Sequence, residues 1–312
     1  MANHGRNPIL SYSLYIIVAM LIWSSQGIVV RTSGLPAEVL VCYSNLFAMA
    51  GQSLIFLSPS IRRSIPPLRK FHYIIIFGML VLINTMAYFI AYEKTSIANT
   101  VFTHYIAPVI VAILAPIVLK ERLTPATIIS LVVATTGLWF ILGDISLSEL
   151  IRVGGGDSNR TGILAGLTSG VAYALVIIFI RAFAPRYNSY FIVFFQNSFV
   201  AISMLLFLIA KGHTFFTAGG HIPTLQSSFW IFILMAVMYS TVAPYLYYRG
   251  LTYVEANRAA ILGYTEPLSA IALSAFFLSE VPPPRSLIGG ILILLSGYII
   301  IKGISPQTDR TP

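Results

Sequence analysis

Residues 95–123, TSIANTVFTHYIAPVIVAILAPIVLKERL, have a counterpart further along the chain at residues 254–282, VEANRAAILGYTEPLSAIALSAFFLSEVP. A single offset of 159 residues brings identical residue types into register. The matched pairs are Tyr88 with Tyr247, Tyr105 with Tyr264, Pro108 with Pro267, Leu114 with Leu273, Leu119 with Leu278, and Glu121 with Glu280. Six matches at one spacing predict that the second half of the chain duplicates the first.

Long apolar segments surround these two stretches. A helix needs about 20 apolar residues to cross the hydrocarbon of a bilayer. The candidates are residues 11–30, 36–57, 71–92, 97–119, 124–142, 161–180, 189–210, 228–248, 256–279 and 286–301. Five segments fall in each half, and because five is odd, the second set crosses the membrane in the opposite sense. Such an inverted repeat gives a membrane protein two mirror-related states, which is typical of a carrier.

Composition supports a membrane protein. Apolar residues make up 57% of the 312 residues and charged residues only 9%, against about a quarter in soluble domains. The net charge of +9 would suggest nucleic acid in a soluble protein, but the basic residues lie between the apolar segments. Most Lys and Arg fall on one side, the loop 62–70 above all, and this bias predicts that both termini are cytoplasmic. The single cysteine, Cys42, excludes an intrachain disulfide.

We therefore expect an all-α integral membrane protein, with ten transmembrane helices arranged as two inverted five-helix repeats around a central cavity. Residues 1–143 form the first repeat, residues 144–160 a Gly-, Ser- and Asp-rich linker, and residues 161–312 the second repeat. The first apolar run has no small-residue cleavage site, so it reads as a retained helix and not as a signal peptide. The chain leaves no room for a sizeable soluble domain.

Two ionisable side chains other than Tyr or Cys lie deep in the predicted spans. Glu266 is near the middle of the ninth segment and His104 is about one turn from the middle of the fourth. A buried carboxylate is costly when charged, so Glu266 is expected to bind a proton or a cation, with His104 as a second titrating or hydrogen-bonding group. The alternatives are a protonated Glu266 bonded to a carbonyl and a His104 that satisfies a polar neighbour. Their counterparts, Ala107 and Gly263, are uncharged.

No Lys or Arg lies near the middle of a span, which disfavours multiply charged anions as substrates. Pro108 and Pro267 are equivalent weak points for gating, unless each is only a static kink. Glycines 162, 166 and 170 indicate close helix packing. For Tyr245, Tyr247 and Tyr248 we favour an interfacial aromatic belt. The predicted cavity lining comprises Trp23, Gln26, Asn84, Tyr88, Thr100, His104, Tyr173, Tyr239, Tyr264 and Glu266.

Three motifs resemble the EamA family of the drug/metabolite transporter superfamily, in its bacterial ten-helix type. Residues 21–25 (LIWSS) resemble the family's Trp-Gly-Ser stretch, with Ser24 in place of Gly. Residues 98–123 resemble the alanine-rich helix with a central proline and a closing Gly-Glu, although Lys120 replaces that Gly. Residues 265–267 (TEP) and 278–280 (LSE) repeat the signature. The resemblance implies a carrier in a bacterial inner membrane, and structural roles for Glu121 and Glu280.

We therefore expect a secondary transporter that moves an amino-acid-like or aromatic metabolite by alternating access, in the direction of export. Glu266 and His104 are the candidates for proton coupling. The alternatives are an uncoupled facilitator or exchanger, a channel, or a non-transporting sensor or assembly protein. No enzyme motif is apparent. The expected partners are a small-molecule substrate and the lipid bilayer, with no nucleic acid, cofactor or metal, and the protein is expected to be a monomer or a weak homodimer.

Overall fold

A computed structural model describes residues 8–63, 71–95, 97–142, 157–212, 225–277 and 284–302, and all regular structure within these ranges is helical. Numbered along the chain, the α-helices are α1 (Pro8–Ser24), α2 (Gln26–Ser33), α3 (Ala37–Ser53), α4 (Pro59–Arg63), α5 (Phe71–Lys94), α6 (Ile97–His104), α7 (Ala107–Leu114), α8 (Pro125–Leu142), α9 (Asp157–Phe183), α10 (Ser189–Ala210), α11 (Leu225–Leu234), α12 (Ala243–Tyr253), α13 (Ala256–Leu262), α14 (Thr265–Phe277) and α15 (Pro284–Lys302).

Short non-α segments connect several of these helices. A π-helix, Ala115–Leu119, follows α7, and a second π-helix, Met235–Val242, joins α11 to α12. Turns of 3-10 helix lie at Leu54–Leu57 and Ala184–Arg186. Pro116 is the second residue of the first π-helix, and Pro244 follows the end of the second by two residues. A proline lacks the backbone N–H that an α-helical hydrogen bond requires. The proline positions therefore explain where the α-helical pattern is interrupted.

Eight helices in the described part of the chain are long and apolar enough to cross a membrane. The two other predicted segments are the fifth and the ninth. The fifth forms the apolar helix α8, which covers all but the first residue of the predicted segment 124–142. The ninth does not form one helix, because α13 ends at Leu262 and α14 begins at Thr265. The fourth is likewise divided into α6 and α7.

The outer surface of the helices is apolar. Leu206, Trp230, Phe276 and Ile291 are between 61% and 80% exposed. A soluble protein that exposed so many large apolar side chains would aggregate, whereas hydrocarbon solvates them. The surface therefore agrees with the composition in placing the protein in a membrane.

Glycines allow the closest helix contacts, as predicted for the glycines of α9. A methyl group on Gly170 would lie 2.7 Å from the carbonyl oxygen of Thr103 and 2.8 Å from that of His104. One on Gly289 of α15 would lie 2.8 Å from the backbone nitrogen of Ile141 in α8. Backbones this close leave no space for a side chain, so these glycines are structural.

Part of the predicted linker belongs to a helix. Residues 143–156 lie outside the described residues, but α9 begins at Asp157, three residues before the predicted end of the linker. The Thr95 hydroxyl donates to Oδ1 of Asn159 at 2.6 Å and fixes this first turn against the end of α5. Glu280 and most of the basic loop 62–70 also lie outside the described residues.

The most extensive helix packings join the two halves of the sequence. They pair α5 with α9, α8 with α15, α3 with α10, and α1 with α12. The largest buried cluster draws on both halves and includes Ile16, Met20, Ile177, Tyr247 and Leu251. Within the described residues the two halves therefore share one interior.

Candidate functional site

Two adjoining compartments lie in the interior, with cavity volumes of about 140 Å³ and 210 Å³. Their walls have five residues in common: Trp23, Gln26, Tyr88, Phe89 and Glu266. The first compartment is lined in addition by polar and aromatic groups of α3, α5, α9 and α10, whereas the second is lined mainly by apolar residues of α2 and α14. A concave site with aromatic walls and a few polar groups suits a small organic molecule.

His104 is the polar centre of the first compartment. It ends α6 and is buried between two aromatic rings, with centroid distances of 4.2 Å to Tyr88 and 4.9 Å to Tyr173. Its Nδ1 lies 2.7 Å from Oγ of Ser169 in α9. Asn84 of α5 donates to the same serine. Three helices therefore position one imidazole.

Tyrosines extend this aromatic wall toward α1. The Tyr173 hydroxyl donates to the Tyr247 hydroxyl at 3.2 Å, and the Trp23 ring meets Tyr247 edge-on at 5.4 Å. Tyr247 and Tyr248 are almost completely buried and line the first compartment, so the interfacial interpretation of these two residues is wrong. Both lie on the face of α12 that is turned to the protein interior. Tyr245 lies elsewhere, half-buried and stacked on Tyr190 at 4.2 Å.

The π-helix Met235–Val242 supplies backbone acceptors to the site. Ala243 donates to the carbonyl of Met238, and Pro244 has no N–H, so Pro244 gives no donor to the carbonyls of Tyr239 and Ser240. Side chains from other helices replace it. Nε1 of Trp23 donates to the Tyr239 carbonyl at 3.2 Å. Interruptions of this kind often occur at functional sites.

Two lining amides, Gln196 and Asn197, complete the same wall together with the buried amide of Gln52. Nδ2 of Asn197 donates to the Ser240 carbonyl at 2.5 Å and to Oε1 of Gln52 at 3.2 Å. Nε2 of Gln52 donates to the Thr241 hydroxyl at 2.7 Å, and the Tyr248 hydroxyl donates to Oε1 of Gln196. Sequence reasoning missed Gln196 and Asn197. The available signal was a pair of adjacent amides in the middle of an apolar helix.

Glu266 lies in the wall that the two compartments share. It is in the first turn of α14, next to the break that separates α13 from α14. Tyr105 and Glu266 both line the second compartment. The side chain is half-buried, so a molecule in either compartment meets this carboxylate.

The breaks in the fourth and ninth segments lie opposite each other. Residues 105–106 separate α6 from α7, and residues 263–264 separate α13 from α14. The Tyr105 hydroxyl donates to the Gly263 carbonyl at 3.2 Å, and the Tyr264 hydroxyl donates to the Tyr105 carbonyl at 3.5 Å. Pro108 and Pro267 cannot donate to the carbonyls four residues earlier, so each proline accounts for the neighbouring break.

Most of the predicted lining residues do reach the cavity. Trp23, Gln26, Asn84, Tyr88, His104, Tyr173, Tyr239 and Glu266 line one or both compartments, and Pro267 lines the second. Thr100 and Tyr264 line neither compartment, contrary to the prediction. Thr100 is fully buried between helices, and its carbonyl accepts from the Thr103 hydroxyl at 3.1 Å. The Tyr264 ring turns away toward Tyr105 and Thr135.

An ion pair joins the two halves away from the compartments. Nε of Arg181 donates to Oε1 of Glu121 at 2.8 Å, and the backbone N–H of Ala256 donates to Oε2 at 2.9 Å. Arg181 also donates to the carbonyls of Leu251 and Thr252. Burial raises the pKa of Glu121, and the hydrogen bond from Arg181 opposes that rise. These contacts support the structural role expected for Glu121.

Among the described residues, no group of three or more His, Cys, Asp or Glu side chains is placed to hold a metal ion. The site instead combines one carboxylate, one imidazole and several amides with aromatic walls. The apolar helices and the polar cavity between them define a helical membrane protein with a site for a small molecule.

The comparison with known families agrees. Residues 10–143 and residues 160–302 match the EamA-like transporter family, and the chain belongs to this family. It is 27% identical to the uncharacterized transporter YwfM of Bacillus subtilis (strain 168) over 307 residues, which is 96% of each chain. It is 26% identical to an uncharacterized transporter of Archaeoglobus fulgidus over 219 residues, 70% of this chain and 72% of that one.

A crystal structure also resembles this fold. The two superpose with a TM-score of 0.74 at 19% sequence identity, covering 93% of this chain and 96% of the other. At that identity the likeness concerns the fold alone. A known fold therefore accommodates almost the whole chain.

Proposed function

We propose that this protein is a secondary carrier that exports a small amino-acid-like or aromatic metabolite across the cytoplasmic membrane. It works by alternating access, with Glu266 as the proton-coupling group. The observation that carries the proposal is the position of Glu266 in the wall shared by both compartments. A substrate that passes from one compartment to the other must pass this carboxylate.

A ten-helix inverted repeat gives this carrier its two states. The family model matches two separate parts of the chain, which supports a duplication. The helix pairs also support a duplication. In the repeat, α1 corresponds to α9, and α5 corresponds to the segment that ends in α12. Exchanging the two halves therefore converts the contact of α1 with α12 into the contact of α9 with α5. The pairs α3 with α10 and α8 with α15 map onto themselves. A pairing pattern that survives this exchange is what two interconverting mirror states require.

In this proposal the interrupted fourth and ninth segments form the gates of the cavity. Pro108 and Pro267 remove backbone hydrogen bonds at equivalent points, and the tyrosines there bond across to the opposite segment. In this proposal the segments turn at these breaks when the cavity changes sides. With both termini cytoplasmic, Thr32 and Tyr92 of the second compartment lie toward the outside, and the Glu121–Arg181 pair closes the inside.

Proton coupling is assigned to Glu266, and His104 is assigned to substrate recognition. A charged imidazole would be enclosed by two tyrosine rings, and its Nδ1 contact, Ser169, carries no charge. Glu266 adjoins both compartments, so it can lose a proton when a substrate binds and regain one afterwards. A carboxylate that exchanges its proton for a substrate in this way couples the two fluxes.

The test is transport by purified protein in liposomes. A panel of radiolabelled aromatic and aliphatic amino acids is offered first for counterflow and then under an imposed pH gradient. Glu266→Gln is expected to retain counterflow but to lose the response to the gradient. The matched control is Glu38→Gln, since Glu38 pairs with Lys211 outside both compartments.

The outcomes separate the alternatives. A gradient response that survives in Glu266→Gln would remove the proton-coupling role. Counterflow without any gradient response in the wild-type protein would identify an uncoupled facilitator or exchanger. Flux that does not saturate would indicate a channel, and the absence of flux for the whole panel would count against a carrier of this substrate class.

A further inference from the structure

Asn84, Ser169 and His104 form a hydrogen-bonded chain whose direction the structure determines. One side-chain atom of Asn84 lies 3.0 Å from the backbone carbonyl oxygen of Ser169. A carbonyl only accepts, so this atom is the amide nitrogen, Nδ2. Nδ2 also lies 3.2 Å from Oγ of Ser169. The Ser169 hydroxyl is therefore the acceptor in its contact with Asn84.

The direction of the next bond follows from the single hydrogen of the Ser169 hydroxyl. Ser44 and Thr168 donate theirs to the carbonyl four residues earlier in the helix. Ser169 makes no such bond in the described part of the chain, and its remaining contact is Nδ1 of His104 at 2.7 Å. The hydroxyl therefore donates to Nδ1. An acceptor at Nδ1 means that a neutral His104 carries its proton on Nε2.

The Nε2–H group is directed to the substrate cavity. His104 lines the first compartment. Some polar side-chain atoms of the described residues are both inaccessible to solvent and without a hydrogen-bond partner, and Nε2 of His104 is not among them. The rings of Tyr88 and Tyr173 restrict rotation of the imidazole. A neutral donor held in one orientation in an aromatic pocket recognises hydrogen-bond acceptors.

We propose that Asn84 and Ser169 hold His104 as the Nε2–H tautomer, and that this N–H donates to a carboxylate or carbonyl oxygen of the substrate. His104 is then a specificity residue, and Asn84 and Ser169 are positioning residues. The inference rests on the proposed function, since it names how the transported molecule is recognised. It predicts that an amine without such an oxygen binds poorly even when its side chain fits.

The binding test compares an amino acid that the wild-type protein transports with its decarboxylated amine. A hydrogen bond between Nε2–H and a carboxylate should favour the acid by about tenfold or more. His104→Leu removes the donor and should abolish this preference. His104→Gln should preserve most of it, because the glutamine amide nitrogen can occupy the position of Nε2. Ser169→Ala should reduce the preference severalfold, whereas the neighbouring control Thr168→Ala should not.

The tautomer test needs no substrate. Protein labelled with ¹⁵N-histidine has five imidazoles, and the signal that disappears in His104→Gln belongs to His104. We expect an Nε2–H signal in the wild-type protein and a mixture of tautomers in Ser169→Ala. A proton on Nδ1, or an unchanged acid-to-amine preference in His104→Leu, would overturn the proposal.

The two proposals can fail separately. If acids and amines are transported equally well and His104→Leu changes nothing, only the recognition role of His104 fails. If the wild-type protein transports no compound of the panel, the carrier proposal fails and the recognition role fails with it. In both cases the tautomer result shows whether the Asn84–Ser169 chain was assigned correctly.

Discussion

The ion pair between Arg181 and Glu121 should make a measurable contribution to stability, because it also holds three backbone groups. Breaking a buried pair costs about 3–5 kcal/mol. Here 8% of the Glu121 side chain and 23% of the Arg181 side chain are exposed, so water partly solvates the charge that remains when its partner is removed. We expect Glu121→Gln and Arg181→Met each to lower the free energy of unfolding by about 2–3 kcal/mol.

The double variant should be hardly less stable than either single variant, since one change already breaks the ion pair and the backbone contacts that depend on it. The coupling free energy is then about 2 kcal/mol. The assay is thermal unfolding of the detergent-purified protein, where this corresponds to a midpoint difference of roughly 4–8 °C. The same cycle on Lys211 and Glu38, whose side chains are 50% and 22% exposed, should give less than about 1 kcal/mol. Additive effects at Glu121 and Arg181, or a coupling no larger than that of the control pair, would refute the reasoning.

Two further outcomes are expected. Gly289→Ala should destabilise the protein by about 1–3 kcal/mol in thermal unfolding, because the backbone of α8 lies against that glycine. Gly297→Ala is the control: a methyl group there meets nothing within 4 Å, so this change should be neutral or slightly stabilising. Pro244→Ala restores a donor for the Ser240 carbonyl, so transport in liposomes should fall while the unfolding midpoint holds or rises; an unchanged transport rate would contradict the role given to that carbonyl.

Hydropathy and the duplication were sufficient to predict the all-helical membrane architecture, and the resemblance of three motifs predicted the family. Pro108 and Pro267 marked two weak points, and a break lies beside each of them, because a proline interrupts the backbone hydrogen bonds of a helix. The sequence did not decide between a static kink and a complete break. In the ninth segment the break also brings the Tyr105 hydroxyl to the Gly263 carbonyl, a contact between distant residues that the apolar run 256–279 does not encode.

The cavity was predictable only in part, because the rotation of a helix decides which side chains face inward. Glu266 and His104 stood out as rare ionisable groups in apolar segments, and both do line the cavity. Tyr247 and Tyr248 were misplaced because their position near a segment end fits an interfacial belt equally well. Asn197 acquires its role from the Ser240 carbonyl on another helix, a tertiary contact that no local pattern encodes.

The wall shared by the two compartments has a pharmacological consequence. Each compartment accommodates only part of a larger molecule, and Trp23, Tyr88 and Glu266 adjoin both. A compound with a cationic centre at Glu266 and a rigid aromatic arm in each compartment would contact both volumes at once. If the protein alternates between two states as proposed, such a compound would hold it in one state and inhibit transport without being transported itself. Its potency would depend on the length of the link between the arms more than on either arm alone.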